Sequence, residues 1–271
     1  MALPVEQMRP VTQHRPRIGP RLSHVNIHVW RLLVGVILVG LWWAVAVFAG
    51  QRFLPTPWET VKSGIEIIGN GTVPVATLDT LVVFISGYAI AAVLAIPLGL
   101  FMGGFRVLGA ALEPYTDALS AMPRVAFIPV IIVFLGLGFA AKISIVFLGA
   151  VMPILINTYQ GVLNCDGELI EMARSAGASD LQIFRKIMLP GALPYITSGL
   201  RIGASLALIN TVVAELYTAV HGLGGLLSIY GNSFRMAPYF VVVFVLAVIG
   251  VIVMQSLKLL ERNMERSRYK G

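Results

Sequence analysis

Residues 81–105 carry no charged side chain, and apolar runs with at most two charged residues recur along the chain at 32–50, 142–163, 195–217 and 239–260. About twenty apolar residues in a helix cross the roughly 30 Å of hydrocarbon in a bilayer. A soluble fold needs a charged exterior, and soluble domains carry roughly 25% charged residues. Here charged residues are 12% and hydrophobic residues 57% of the 271. A core and a charged surface cannot both be built from that composition, so the expected class is an all-α membrane protein with about six transmembrane helices. The sixth segment, 108–136, is the irregular one. It holds Glu113, Pro114, Asp117, Pro123, Arg124 and Pro129. Two prolines six residues apart imply a broken or strongly bent helix. Such backbone is tolerated at membrane depth only where protein or a water-filled cavity surrounds it.

Residues 1–31 are read as a basic tail with Pro4, Pro10, Pro16 and Pro20, residues 32–260 as the membrane domain, and residues 261–271 as a second basic tail. The scattered His14, His24 and His28 do not make a metal site, because no carboxylate lies near the His24/His28 pair. No short apolar core with a small-residue cleavage site is apparent, so the first apolar run is expected to remain as a span. Residues 58–68 have the pattern of a short amphipathic helix on the far membrane surface, with Trp58, Val61, Ile65 and Ile68 turned inward. In the second span, Gly87, Gly99, Gly103 and Gly104 allow close helix contact, and Pro97 is expected to kink it. Asn157, Gln160 and Asn164 form a polar stripe toward other helices. Leu223, Leu226, Leu227 and Tyr230 have helical spacing, which predicts a short re-entrant or surface helix.

Lysine and arginine set the orientation. With Arg124 set aside inside the membrane, fifteen fall on one side and four (Arg52, Lys62, Lys142, Arg235) on the other. The richer side is cytosolic, which places both termini and residues 166–194 inside. The net charge of +7 is thereby explained as membrane anchoring rather than nucleic-acid binding. The single cysteine, Cys165, excludes an internal disulfide and reads as a structural thiol in a cytosolic loop.

Residues 166–194, DGELIEMARSAGASDLQIFRKIMLPGALP, form the charged stretch between spans. Glu168, Glu171 and Arg174 recur at helical spacing, and Glu171 can pair with Arg174. Ile170, Ala173, Ala176 and Gly177 make a compact apolar side. Gly177 suits the left-handed residue that ends a helix. Ser179 and Gln182 fit a capping box for a second short helix. That helix would carry Leu181, Phe184 and Ile187 or Met188 on one side, Arg185 and Lys186 on the other, and close at Pro190 and Pro194.

This stretch resembles the EAA loop of ABC-importer permeases: Glu171-Met172-Ala173, three residues, then Gly177-Ala178-Ser179, and later Leu189-Pro190. Met172 departs from the commoner Ala. Phe53-Leu54-Pro55-Thr56-Pro57, Ile96-Pro97-Leu98-Gly99, Pro123 with Ala126 and Pro129, Gly199-Leu200-Arg201, Ala214-Glu215 and Gly222-Leu223-Gly224 resemble the nitrate/sulfonate/taurine/bicarbonate branch of that family. The resemblance implies a type I ABC importer permease fold in a bacterial cytoplasmic (inner) membrane. It implies a loop that docks into a cytosolic ABC ATPase through Glu171, Ala173, Gly177, Ala178, Ser179, Phe184, Leu189 and Pro190. It also implies a second copy of the permease and a periplasmic or lipid-anchored solute-binding protein. No cofactor is expected in this chain, which has no GxxxxGK[ST] phosphate loop and no catalytic grouping; ATP and Mg belong to the partner ATPase. The implied solute is small and anionic or zwitterionic.

Four polar residues are pathway candidates. Arg124 is either a structural partner for a carboxylate or freed carbonyls, or a pathway-lining cation. Glu215, with Thr211 on its face and Asn210 beside it, is either a buried hydrogen-bond partner or a cavity-facing acid. A secondary transporter driven by protons or sodium is the competing reading. It would use Glu215, Asp117 and the broken span, but it leaves the cytosolic two-helix loop without a task.

Overall fold

The computed structural model describes residues 27–50, 53–218 and 221–268, the side chains of 260 and 263–268 excepted. The basic stretch 1–26, with His14 and His24, and Arg52 lie outside these residues. Among the described residues the chain forms eleven α-helices and no strand. Five helices are long and apolar enough to cross a membrane, six if a pair bent at its break counts as one span.

The helices are α1 (Ile27–Ala49), α2 (Pro57–Gly69), α3 (Thr72–Gly104), α4 (Arg106–Ala121), α5 (Ile128–Leu135) and α6 (Phe139–Leu163), followed by α7 (Gly167–Ser175), α8 (Asp180–Ile183), α9 (Leu189–Thr218), α10 (Leu223–Asn232) and α11 (Met236–Arg268). Helix α11 therefore continues to Arg268, through most of the stretch read as a tail.

Two expectations about helix limits change. Helix α3 starts at Thr72 rather than residue 81. Asn70 Oδ1 accepts from the Thr72 amide at 3.0 Å, and Gly71 takes a left-handed φ of +82°, so the turn that ends α2 also opens α3. Pro97 does not interrupt α3; packing by neighbouring helices sustains proline within a span. The expected break in the 108–136 segment is present, with 83° between Arg106–Ala121 and Arg124–Leu135. Of its prolines only Pro123 breaks the helix. Met122 before it is extended, with ψ 136°, as a residue preceding proline prefers. Pro129 lies in the first turn of α5, where no amide is needed.

The second change is at Pro190 and Pro194, which neither close a helix nor start one. Residues Phe184–Met188 form a π-turn that joins α8 to α9 without a gap. The Leu189 amide donates to the Phe184 carbonyl, five residues back. Pro190, next in line, has no amide to donate. The result is one helical path, Asp180–Thr218.

Helices α3, α6 and α9 pack most extensively and form the core, with Phe84, Ala91, Ala95, Val146, Ala150, Ile154 and Ala207 buried between them. Small residues make this approach possible, as in other membrane bundles. A Cβ on Gly99 would stand 2.7 Å from the Leu155 carbonyl oxygen, and one on Gly87 2.6 Å from Val146 Cβ. Gly103 meets Val162, and Gly104 meets the Phe184 ring.

Helix α1 lies at the periphery, with Ala46 its one buried residue and Phe48 91% exposed. Its Trp42 Nε1 donates to the Pro55 carbonyl at 3.1 Å, and the ring stacks on Phe240. Helix α2 forms as expected, opened by a capping box between Thr56 and Glu59, but its face is reversed. Thr60, Gly64 and Ile67 face the bundle, and Trp58, Val61, Ile65 and Ile68 are exposed. In lipid an apolar stripe has no reason to turn inward, whereas Gly64 lets α11 approach, its Cβ position 3.5 Å from Val241. The polar stripe on α6 is also corrected: Asn157 packs against Gly199, but Gln160 and Asn164 are exposed.

Candidate functional site

The 166–194 segment is built from local hydrogen bonds. Asp166 caps α7, its Oδ1 accepting from the Glu168 amide at 2.9 Å. Gly177, at φ +81°, ends it in a Schellman arrangement. The Ala178 amide donates to the Ala173 carbonyl at 3.0 Å, and the Gly177 amide to that of Arg174 at 2.9 Å. Ser179 then opens α8. Its amide donates to Gln182 Oε1 at 2.8 Å, and its Oγ accepts from the Gln182 amide at 3.4 Å. The expected helix, glycine turn and capping box are all present.

Two details differ. Arg174 reaches Asp180 at 3.8 Å, across the turn, rather than Glu171. On α8 the side facing the bundle is Ile183, 3% exposed, whereas Leu181 is 66% exposed. The π-turn shifts the helical phase, so the spacing of the apolar residues misleads there.

Helix α7 buries none of its side chains. Glu171 is exposed, Ala173 and Ala178 are half-buried, and Leu169 and Met172 stand in the open. Ala173, Gly177, Ala178, Gln182, Ile183 and Lys186 line a cleft of about 330 Å³ between α7 and α8. Phe184 anchors the segment by its contact with Gly104 of α3. Leu189 and Pro190, both half-buried, carry it into α9. Cys165 Sγ lies 3.4 Å from the Met188 carbonyl and fills the space beside Gly191, a packing role.

The structure divides the pathway candidates into two groups. Arg124, half-buried in a 3₁₀ turn at the break, donates through a guanidinium nitrogen to the Gly149 carbonyl of α6 at 3.1 Å. Asn210 packs against the same glycine and donates to the Leu206 carbonyl at 2.8 Å. Thr211 is fully buried, its hydroxyl donating to the Ala207 carbonyl of its own helix at 2.8 Å.

Glu215 is 0% exposed and belongs to a different cluster. Its Oε2 accepts from the Gly224 amide at 2.9 Å. The Thr80 hydroxyl lies 3.0 Å from both Glu215 Oε2 and the Ala76 carbonyl, and its one proton can go to either. Thr80 Oγ1 also accepts from the Leu223 amide at 2.8 Å. The N-cap residue of helix α10 is Gly222, which has no side chain to cap it. Its first two amides are therefore capped by α3 and α9, and an acidic group at a helix N-terminus is also favoured by the helix dipole. Gly222, at φ +93° and ψ 175°, lies directly against the Glu215 carboxyl.

Thr80 did not stand out as a site residue in the sequence. Gly222 and Gly224 did, as a glycine motif, and a lone buried acid nine residues before an amide-rich helix start is the signal that joins them. Replacing Glu215 by alanine is expected to leave the Gly224 amide buried without an acceptor, at a cost of about 1–3 kcal/mol, and to empty its space. Glu215→Gln keeps an acceptor oxygen. Thermal unfolding in detergent should show the alanine variant clearly less stable than the glutamine variant; equal losses would refute the capping role.

Residues 95–266 match the family described as binding-protein-dependent transport system inner membrane component. The putative aliphatic sulfonates transport permease protein SsuC of Escherichia coli is 34% identical over 88% of this chain and 90% of its own length. The riboflavin transport system permease protein RibX of Chloroflexus aurantiacus is 32% identical over 97% of this chain and 98% of its own. In structure, the chain is similar to a chain of the MetNI methionine ABC transporter in inward-facing conformations, with a TM-score of 0.60 at 21% identity over 69% of this chain and 93% of that one. The relatives are named as permeases, in keeping with transport rather than catalysis. The chain belongs to the binding-protein-dependent transport system inner membrane component family, as a membrane-spanning permease subunit of the ABC-importer type.

Proposed function

We propose that this permease is driven by a separate ABC ATPase that docks on residues 166–194, and that two copies form the pathway for a small anionic or zwitterionic solute delivered by a solute-binding protein. The observation that carries this reading is the state of α7. It is rigidly capped at both ends, tied through the π-turn to a long span, and without a buried side chain of its own. A well-made helix that exposes Leu169 and Met172 to water is fitted for a partner. Glu171, Ala173, Gly177, Ala178 and Ser179 shape that surface, while Phe184, Leu189 and Pro190 connect it to the bundle. The charge distribution supports placing this segment and both termini in the cytosol, where ATP and Mg are available to the ATPase. The chain itself is assigned no cofactor.

Arg124 supports an anionic group on the solute, since its guanidinium is half-buried beside Asn210 and pairs with a carbonyl rather than a carboxylate. Thr211 and Glu215 are sealed in this conformation and serve α9 and α10 instead. The name of SsuC supports a sulfonate-like solute.

The Leu169→Asp/Met172→Asp double variant tests the docking. Both positions are exposed, so yield and melting temperature should stay unchanged. Burying two such side chains on docking contributes about 1.5–3 kcal/mol each, so co-purification of the ATPase and ATP-driven uptake should fall at least tenfold. Undiminished ATPase binding sinks the reading. Uptake abolished by a protonophore but indifferent to ATP would favour the ion-gradient alternative.

A further inference from the structure

A groove of about 720 Å³ runs between α1 (Val39, Trp42), α2 (Val61, Gly64) and α11 (Phe244, Val248). Its lining offers an occupant almost nothing polar. The Trp42 indole nitrogen is engaged by the Pro55 carbonyl, and the Thr60 hydroxyl by the Thr56 carbonyl at 3.0 Å. That leaves Thr77 of α3. An ordered water needs more than one polar partner, and apolar cavities stay dry.

Helix α2 fixes the depth of the groove. At 100° per residue, its groove-lining Pro57, Gly64 and Ile68 lie on the side opposite Glu59, Lys62 and Glu66. Lys62 and Glu66 are exposed. A helix with one charged and one apolar side settles at the membrane interface with its charges in water. The groove then lies beneath α2, in hydrocarbon, flanked by the spans α1 and α11.

Its dimensions separate the possible occupants. Along α11 it reaches from Val241 to Ile249, about 12 Å at 1.5 Å per residue. That is most of the roughly 15 Å of hydrocarbon in one leaflet. The volume spread over that length gives a cross-section of about 60 Å². A helix with its side chains is about 10–12 Å across and fills about 80–110 Å², so the groove is too narrow for a helix of a second copy. An extended alkyl chain fits both its length and its width. Helix α1 also needs a filler there. Ala46 is its one buried residue, and Trp42 ties it to the bundle through Pro55, Phe240 and Phe244.

We propose that this groove binds one acyl chain of a membrane phospholipid, from the leaflet on the α2 side, as a packing element that joins α1 to the bundle.

The test uses the full-length permease in nanodiscs of phosphatidylcholine with dibrominated acyl chains, which quench tryptophan on contact. One form keeps Trp42 and carries Trp30→Phe, Trp43→Phe and Trp58→Phe. A second keeps Trp43, which is 52% exposed and does not line the groove, and carries Trp42→Phe in place of Trp43→Phe. Trp42 should be quenched. Filling the groove with Val61→Phe/Val248→Phe should lower that quenching at least threefold and leave that of Trp43 unchanged. Both valines are exposed, so folding should be retained, and Val61→Phe alone serves if the pair does not fold. Val93→Phe, at an exposed position of α3 outside the groove, should change neither signal. In native mass spectrometry the unaltered permease should keep one phospholipid at a collision energy that strips the rest, and the filled variant none. Trp42 quenched equally with the groove open and filled would mean a lipid annulus only. Trp42 shielded from brominated chains but quenched by aqueous iodide would mean water. Trp42 shielded in a dimer whose association the filled variant loses would mean a second copy. Each of these overturns the proposal.

Discussion

Gly222→Ala is expected to destabilise the protein by about 3 kcal/mol or more, a large effect for one methyl group. Two costs add. Gly222 has φ +93° and ψ 175°, a region open essentially to glycine alone, and another residue there costs about 1–3 kcal/mol. The new Cβ would also overlap the Glu215 carboxyl, which has nowhere to go because it is fully buried. Displacing it breaks the bond to the Gly224 amide and the contact with Thr80, and a buried polar group left unpaired costs about 1–3 kcal/mol more. Gly231→Ala, in the same helix α10, is the control. Its Cβ would make ordinary contact with Tyr239 at 3.5 Å, so little change is expected. Thermal unfolding of the two variants in one detergent decides the matter. A mild Gly222→Ala variant would mean that α10 is not held as described.

Gly177→Val is expected to act on function rather than on stability. Nothing lies within 4 Å of the position where a Cβ would stand, so no clash arises. The cost is in the backbone: φ is +81°, which costs an L-residue roughly 1–2 kcal/mol and a β-branched one more. The cheapest escape is to abandon the Schellman turn, which swings α7 away from α8 and opens the cleft between them. Uptake by the complex with its ATPase should fall at least tenfold, while ATP hydrolysis continues and the melting temperature barely moves. Gly177→Asn should keep most of the uptake, since asparagine tolerates this conformation best after glycine. Normal uptake by the valine variant would remove the segment's assigned role.

The spans were legible because near-absence of charge over twenty residues has one physical explanation. The caps of α7 and α8 were legible because they are local: Asp166, Gly177, Ser179 and Gln182 act within a few residues of themselves. Three kinds of feature were hidden. The face of α2 was inverted because lipid removes the penalty that turns apolar residues inward, and Gly64 rather than Trp58 decides the packing. The helix limits at Thr72 and Pro190 were missed because a turn and a π-bulge carry little sequence signature. The partners of Glu215 were missed because Thr80 lies 135 residues away, and nothing in an apolar run marks which hydroxyl will meet which acid.

The helix path from Asp180 to Thr218 is also a mechanical part. At 1.5 Å per residue its 39 residues make a rod of about 58 Å, with an exposed leucine near one end and the sealed acid near the other. A rod transmits torque as well as thrust, and each residue added turns its ends by about 100° relative to each other. The π-turn at Phe184–Met188 is where this rod departs from a uniform thread. It sets the angle at which α8 meets the bundle independently of the angle at which Glu215 meets α10, so the two ends of the span are indexed to each other by one wide turn of backbone.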